Sequence, residues 1–214
     1  MGLALQLREA TTENHKRAEG ASFIKDLMQG RVDREMYARH ISTLYDMYLA
    51  LEEGMQAAKD HPTLGAFHFD ELWRADSLAA DLKFFSGDDI LKKRDAEQGA
   101  GTRKYCEHLR KISGESPELL VAHAYVRYLG DLSGGQMIKK TVARNLGLAD
   151  EPGAAGMTFY EFPKIEDANA FKNEFRARLD AFQPANVTLE QVIDEARLAF
   201  DLNGELLRDV EAVS

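Results

Sequence analysis

The sequence contains a single cysteine, Cys106, in a chain of 214 residues. One cysteine cannot form a disulfide within the chain or a cysteine-based zinc site, so nothing in the sequence indicates an oxidising compartment. Long hydrophobic runs are also missing, because no uncharged stretch exceeds nine residues. This excludes a transmembrane helix, and the first residues lack the basic start and apolar core of a secretion signal. We therefore expect a cytoplasmic protein with no membrane anchor.

Positive charge is scarce as well. The 27 lysines and arginines are outnumbered by 36 aspartates and glutamates, which gives a formal net charge of −9 at pH 7. Proteins that bind nucleic acids normally carry a basic excess, so this class of function is disfavoured. An anionic ligand would need a local group of lysine and arginine side chains to offset the overall charge.

The rest of the composition is typical of a globular domain, with 44% hydrophobic and 29% charged residues. Apolar residues recur three and four positions apart, and no run alternates with the period of two that a strand requires. The sequence thus predicts one all-α domain over residues 1–214. The predicted helices cover approximately residues 2–19, 23–29, 33–55, 70–85, 89–97, 102–112, 116–146, 166–182 and 188–210.

Several predicted helix ends carry local signals. Asp33, Asp70 and Ser116 stand where an N-cap is expected, and Thr188 opens a capping box with the glutamine three residues later. Gly147 follows the longest predicted helix, as a C-terminal glycine commonly does.

One predicted helix contains three glycines in its interior, Gly130, Gly134 and Gly135. Each interior glycine costs a helix about 1 kcal/mol relative to alanine, and such conflicts tend to mark functional sites. Gly130 and Gly134 share one face, where a flat ligand could touch the backbone. Close helix packing or a plain kink would also explain the pair. Asp131, with Arg127 one turn earlier, favours the functional interpretation.

None of the six histidines has the spacing of a zinc protease or of a carboxylate-bridged di-iron site. A haem needs only one protein ligand, commonly a neutral imidazole. His15 is the candidate, since it lies near the end of the first predicted helix with Glu19 four residues further on. A surface histidine paired with Glu19 is the simpler alternative, and His123 is expected in the core.

The chain resembles the haem oxygenase family over nearly its whole length. Residues 119–125, LLVAHAY, continuing through residues 130–136, GDLSGGQ, are similar to that family's distal-helix signature. Residues 11–19, TTENHKRAE, are similar to its proximal-helix segment, and residues 44–53 and 200–203 also match. The resemblance implies an all-helical fold with haem between a proximal N-terminal helix and a glycine-kinked distal helix.

The resemblance also implies roles for individual residues. His15 would bind the haem iron, and Glu19 would hold the other ring nitrogen of that histidine. The residues implied to form a distal hydrogen-bonding network with Asp131 are Tyr48, Tyr105, Arg127 and Asn203. The other residues implied at the haem are Phe23, Phe200, Tyr125, Gly130 and Gly134, together with Arg8, Lys172 and Arg176 as partners of the propionates.

The implied reaction cleaves haem, which is both cofactor and substrate, with O2 at a meso carbon to biliverdin, carbon monoxide and ferrous iron. Asp131, acting through ordered water, is expected to supply the proton, and no distal histidine is expected. Because the sequence has no dinucleotide-binding turn, electrons would come from a ferredoxin or an NAD(P)H-dependent reductase. Lys139, Lys140 and Arg144 form a basic stripe that either docks this donor or is simply solvated. Two alternatives stay open: a haem carrier or sensor, and a haem-free helical bundle that acts in protein interactions.

Overall fold

Four long helices dominate the computed structural model, which describes residues 1–93 and 98–211. The helices are α1 (Leu3–Ala10), α2 (Thr12–Glu19), α3 (Ser22–Met28), α4 (Arg34–Ala57), α5 (Ala75–Ser86), α6 (Ile90–Lys93), α7 (Ala100–Glu115), α8 (Leu120–Leu146), α9 (Ala168–Ala181) and α10 (Leu189–Glu211). Short 3₁₀ turns cover Leu64–Phe67, Asp70–Leu72, Pro117–Leu119 and Thr158–Tyr160. The described residues contain no strand, and none of their helices combines the length and the apolar composition needed to cross a bilayer.

Several helix ends follow the chemistry that the sequence predicts. The side chain of Asp33 accepts a hydrogen bond from the backbone N–H of Met36 at 2.8 Å, which caps α4. At the start of α10, the Thr188 hydroxyl accepts from the N–H of Gln191, and the Gln191 side chain accepts from the N–H of Thr188. The capping box is therefore confirmed. Gly147 follows α8 with a φ of 65°, the left-handed conformation of a glycine C-cap.

The predicted start of α5 at Asp70 is wrong. Asp70 begins a 3₁₀ turn, and its carboxylate lies 2.7 Å from the amino group of Lys164. Helix α5 begins at Ala75 because the carboxylate of Glu52, on α4, accepts hydrogen bonds from the N–H groups of Arg74 and Ala75 at 2.5 and 3.1 Å. An acceptor from a distant helix thus replaces the local cap.

The start of α8 also differs from its prediction. Ser116 makes no capping hydrogen bond, and a 3₁₀ turn precedes the helix. The carboxylate of Glu118 instead accepts hydrogen bonds from the Thr63 hydroxyl and from the backbone N–H groups of Ala185 and Asn186, at 2.6, 2.7 and 2.9 Å. These bonds fasten the start of α8 to the segment that precedes α10.

The other predicted helices differ in smaller ways. The helix predicted over residues 2–19 is divided at Thr11 into α1 and α2. Of the helix predicted over residues 89–97, the structure describes α6, and residues 94–97 lie outside the described part of the chain. Helices α3, α7 and α9 lie where they are predicted, with ends shifted by a few residues.

Helix α8 continues without a break through Gly130, Gly134 and Gly135, and none of the three has a positive φ. The predicted kink is therefore not an interruption of the helix. The effect of these glycines is to remove side chains from the surface of α8.

The core of the protein contains several tyrosine side chains. Tyr37, Tyr48, Tyr105 and Tyr128 are among the largest fully buried side chains. Each hydroxyl is hydrogen-bonded to another side chain, as buried tyrosines require. Buried polar pairs therefore lie within an otherwise apolar core, and one of them, Tyr48 with Asp131, belongs to the site described next.

Candidate functional site

An open cleft with a volume of about 830 Å³ lies between the N-terminal helices and α8. Residues of α1 and α2 line one side, and residues of α8 line the other, with contributions from α9 and α10. The volume falls within the range of roughly 300–1,000 Å³ that is typical of small-molecule sites.

Gly130 and Gly134 leave the α8 side of this cleft without side chains. A methyl group added at either position would meet no other atom within 4 Å. Close packing against another helix, the alternative for such a pair, therefore does not explain these glycines. A methyl group on Gly135 would instead lie 3.6 Å from the ring of Tyr160, so this third glycine faces the protein interior. The exposed backbone at Gly130 and Gly134 is a surface that a flat ligand can approach closely.

His15 lines the cleft from α2, and no other histidine of the described residues does so. Its side chain is 59% exposed, and its Nδ1 lies 3.5 Å from Oε1 of Glu19. The ring of Phe200 meets it edge-on, with the ring centroids 6.0 Å apart. A surface histidine would show the same pairing with Glu19. The position of His15 in the cleft opposite bare backbone distinguishes it, because Nε2 is then the ring nitrogen available to a ligand.

Positive charge gathers at the same cleft. Arg8 and Arg176 both line it. Lys172, one helical turn before Arg176, donates a hydrogen bond to the hydroxyl of Ser133, a residue of the cleft wall, at 3.3 Å. Burial raises the pKa of Tyr125, whereas the nearby charges of Arg176 and Arg8 act in the opposite direction. An acidic chain thus offers a locally basic edge to an anionic ligand.

Beside the glycines, Asp131 belongs to a hydrogen-bonded network. The Tyr48 hydroxyl donates to the Asp131 carboxylate, and Arg127 donates from Nε to the Tyr48 hydroxyl at 3.2 Å. A second nitrogen of Arg127 donates to Oδ1 of Asn203 at 2.6 Å. Arg127 and Asp131 also form an ion pair with a closest N···O distance of 4.0 Å. The structure therefore joins four of the five residues that the sequence assigns to this network.

Tyr105, the fifth, has a different partner. Its hydroxyl lies 3.1 Å from Nδ1 of His123, whose Nε2 is 2.7 Å from Oε1 of Glu195. The same carboxylate oxygen lies 2.5 Å from Nε2 of His108. Among the described residues, Tyr105 makes no hydrogen bond to Asp131, Tyr48, Arg127 or Asn203, and it acts on this network only through its electrostatic interaction with Arg127. His123 is fully buried, as the sequence predicts.

Burial raises the pKa of the Asp131 carboxyl group, although the charge of Arg127 and the hydrogen bond from Tyr48 act to lower it. The side chain is 16% exposed. A carboxyl group with a raised pKa takes up and returns a proton more readily near neutral pH than an exposed aspartate does. Asp131 is therefore suited to proton transfer next to the cleft.

Two sequence-based assignments do not fit their positions. Phe23 is fully buried, and its ring centroid lies 4.5 Å from that of His40, so α3 turns this apolar side chain into the core instead of the cleft. Lys139 lies on the inner face of α8 and is only 5% exposed. Its amino group is 3.0 Å from Glu161 and 3.7 Å from Asp150, so its charge is neutralised and cannot serve a docking stripe.

One titratable residue near the site was missed by sequence reasoning. His40 of α4 lines a second, smaller cavity together with Asp131 and Arg127, so a histidine does lie on the distal side. Burial, followed by the charge of Arg127, lowers the pKa of His40 to about 3, which leaves the ring neutral at pH 7. Only its place on the apolar face of a predicted helix signalled that His40 is buried.

We expect the substitution Gly134→Ala to stabilise the protein but impair its cleft. Helix propensity predicts a gain of about 0.5–1 kcal/mol in the free energy of unfolding of the ligand-free protein, because the added methyl group meets no atom. The same methyl group occupies the space next to the bare backbone, and haem binding should weaken by about 1–3 kcal/mol. Urea denaturation and haem titration measure the two effects.

Gly204→Ala is the matched control, because Gly204 also lies within a helix with no atom within 4 Å of an added methyl group, but outside the cleft. It should gain stability without losing haem affinity. Haem binding by the Gly134→Ala variant at wild-type strength would contradict the role given to the bare backbone.

We expect the Glu195 carboxylate to stabilise the fold at neutral pH but not in strong acid. Burial acts to raise its pKa, but hydrogen bonds from His108 and His123 outweigh burial and lower the pKa to about 2, below the ordinary value of 4.5. A group with a lowered pKa in the folded state contributes stability above its unfolded pKa, and this contribution is lost as the pH falls. Glu195→Gln should therefore be less stable than wild type by about 1–3 kcal/mol at pH 7.

This difference in the free energy of unfolding should narrow progressively as the pH falls from 4.5 towards 2. Urea denaturation of both proteins at several pH values tests it, with Glu13→Gln on the surface as the control. A difference that stays constant from pH 7 to pH 3 would exclude the ionised state of Glu195 as its source.

Comparisons with known proteins place the chain beside a single family. A family model described as heme oxygenase matches residues 1–209. A protein named heme oxygenase from Guillardia theta is 42% identical over 212 residues, covering 98% of this chain and 86% of that protein.

Solved structures show the same similarity in three dimensions. Heme oxygenase from Leptospira interrogans has a TM-score of 0.89 and 42% identity, over 97% of this chain and 98% of that one. Heme oxygenase-1 from the cyanobacterium Synechocystis, solved in complex with heme, has a TM-score of 0.91 and 39% identity, over 100% of this chain and 94% of that one.

Proposed function

The chain belongs to the haem oxygenase family, enzymes that cleave haem to biliverdin, carbon monoxide and iron, and we propose that it performs this cleavage in the cleft between α1–α2 and α8. The observation that carries the proposal is the pairing of two features across one cleft. His15 offers an imidazole on one side, and Gly130 and Gly134 offer backbone without side chains on the other. A flat, iron-containing ligand fits this combination.

The chain's own residues orient the substrate. His15 binds the iron through Nε2, while Glu19 holds the proton on Nδ1 and so fixes the orientation of the imidazole ring. Arg8, Lys172 and Arg176 pair with the two propionates, which sets the rotation of the porphyrin in the cleft. The rotation decides which meso carbon faces the side of Asp131.

Bound haem supplies the iron at which dioxygen is activated and the porphyrin ring that is cut. Asp131 then acts from the far side of the glycine face, where it holds ordered water and passes a proton through it towards the reacting oxygen. Tyr48 and Arg127 keep the carboxyl group in place, and Asn203 keeps Arg127 in place. Burial and the charge of Arg127 keep His40 neutral at pH 7, so it has no imidazolium proton to give, and we assign the acid role to Asp131.

Electrons come from a separate protein, a ferredoxin or an NAD(P)H-dependent reductase. The sequence offers no dinucleotide-binding turn that could hold a nicotinamide or flavin cofactor. We assign no docking surface to Lys140 and Arg144, because the third member of the predicted stripe, Lys139, is buried and paired.

A single-turnover experiment tests the proposed function. The protein is loaded with one equivalent of haem, supplied with ascorbate and O2, and the products are separated by chromatography. We expect loss of the Soret band with formation of one biliverdin isomer, since a fixed porphyrin presents one meso carbon. Haem without protein is the control, and it should give a mixture of isomers.

The two alternatives give different results. A haem carrier would keep its Soret band under reductant and O2, and a haem-free helical bundle would cause no Soret shift on haem addition. Either result would overturn the proposed function.

A further inference from the structure

A second cavity, with a volume of about 160 Å³, lies on the inner side of α8. Gly130 lines both this cavity and the large cleft, so the two spaces lie beside the same turn of α8. The polar residues that line the second cavity are His40, Arg127, Asp131, Tyr160 and Asn203, and the others are apolar or glycine. A polar cavity of this size has room for ordered water, which needs roughly 10–15 Å³ of accessible volume per molecule and two to four polar partners.

His40 lines this cavity, and one of its ring nitrogens is unsatisfied. The residue is 8% exposed, and its Nδ1 has no hydrogen-bond partner in the part of the chain that the structure describes. A buried nitrogen left without a partner is destabilising, and such atoms in native proteins usually bind a water molecule. A neutral imidazole carries one proton, so Nδ1 accepts a hydrogen bond in one tautomer and donates one in the other, and a water molecule can partner either.

We propose that Nδ1 of His40 binds an ordered water molecule in this cavity, and that this water extends the Asp131 network and positions the proton path to the cleft. His40 is thus a positioning residue, since it acts on the reaction only through water and Asp131. The inference rests on the proposed function and adds to it a residue from α4, whose other contribution to the network is Tyr48.

The neighbouring charges agree with this arrangement. Arg127 lies close enough to act on His40 by its charge, and it also lines the cavity and pairs with Asp131. The ring of Phe23 packs against that of His40, with the centroids 4.5 Å apart and the ring planes at 43° to each other. If His40 served only as a packing partner of Phe23, an apolar side chain of similar size would replace it without loss.

Two substitutions separate the two roles. His40→Asn keeps a hydrogen-bond acceptor at nearly the position of Nδ1, because Oδ1 of asparagine and Nδ1 of histidine are both attached to Cγ. His40→Leu keeps an apolar side chain of similar volume and removes the acceptor. Crystal structures of the full chain without haem should show water within about 3.2 Å of Nδ1 in wild type and of Oδ1 in the asparagine variant. This water should be missing from the leucine variant.

The second readout is turnover of the haem-loaded protein with ascorbate and O2. We expect His40→Leu to slow biliverdin formation about 2- to 10-fold, the effect of losing one water-bridged hydrogen bond, without a change in haem affinity. His40→Asn should recover most of the wild-type rate. A residue that only packs would not be expected to give this result, in which the leucine variant loses rate but not haem affinity and the asparagine variant regains the rate.

Three other outcomes overturn the inference, and a fourth overturns the proposed function. A cavity without water in wild type, or a leucine variant with the wild-type rate, excludes the positioning role of His40. A rate lost equally in the leucine and asparagine variants makes His40 a packing residue. If wild type itself forms no biliverdin, it is the proposed function that fails.

Discussion

Replacing His15 with alanine is expected to abolish the histidine-ligated haem spectrum and to weaken haem binding by at least about 100-fold. The reason is that His15 is the only histidine of the described residues that lines the cleft. Because the side chain is 59% exposed, imidazole added to the solution can reach the vacated position and should restore the spectrum in part. Absorption spectra and haem titration of wild type and variant measure these effects, and biliverdin formation should be lost with the ligand.

His68→Ala is the matched control for this substitution. His68 lies outside the cleft, where its Nε2 is 2.9 Å from Oε1 of Gln56. We expect this variant to bind haem as wild type does. If the His15→Ala variant keeps the histidine-ligated spectrum, another histidine holds the iron and the assignment of the cleft is wrong.

Replacing Asp131 with alanine should leave haem binding intact and lower biliverdin formation by about 10²- to 10⁴-fold, the range that one proton-transfer group contributes. Asp131 does not line the large cleft, so its loss removes no contact that holds the porphyrin. Asp131→Asn should lose activity to a similar extent. An amide still accepts the hydrogen bond from Tyr48, but it cannot hold and return a proton.

The measurement is the yield of biliverdin in a single turnover, together with haem affinity by titration. Asp26→Ala controls for the loss of a carboxylate, since Asp26 pairs with Arg31 on the surface and lines neither cavity. Biliverdin formation by the Asp131→Asn variant at the wild-type rate would remove proton transfer from the role of this residue. Loss of haem affinity would instead make Asp131 a binding residue.

Local signals in the sequence predicted the helices well where the stabilising partner is itself local. The caps at Asp33 and Thr188 and the glycine after α8 are contacts within a few residues, which a sequence pattern contains. The start of α5 could not be found in this way, because the acceptor is Glu52, more than twenty residues earlier on another helix. Tertiary contacts of this kind override local capping preferences.

The same difference between local and tertiary contacts decides which parts of the candidate site the sequence predicts. Gly130, Gly134, Asp131 and Arg127 lie within ten residues on one helix, so the sequence placed them together before any fold was known. Which face of a helix packs inward is a property of the assembled core. For this reason Lys139 and Phe23 were assigned to surfaces that they do not occupy, whereas the distal cavity beside His40 was not foreseen.

Two features of the site, the glycines and the buried polar network, are unfavourable for the stability of the folded protein. Gly130 and Gly134 have no packing that requires them, and each costs α8 about 0.5–1 kcal/mol relative to alanine. Asp131 and Arg127 are held in a largely desolvated place, where ionised groups need each other and Tyr48 as partners. Both features are explained by a ligand that must approach the backbone of α8 and receive a proton there.

The most direct test of the account is a crystal structure of the protein with haem bound. We predict that the porphyrin lies in the cleft between α2 and α8, with its iron bound to Nε2 of His15 and its opposite face against Gly130 and Gly134. A haem held outside this cleft, or an iron bound to any other residue, would contradict the account.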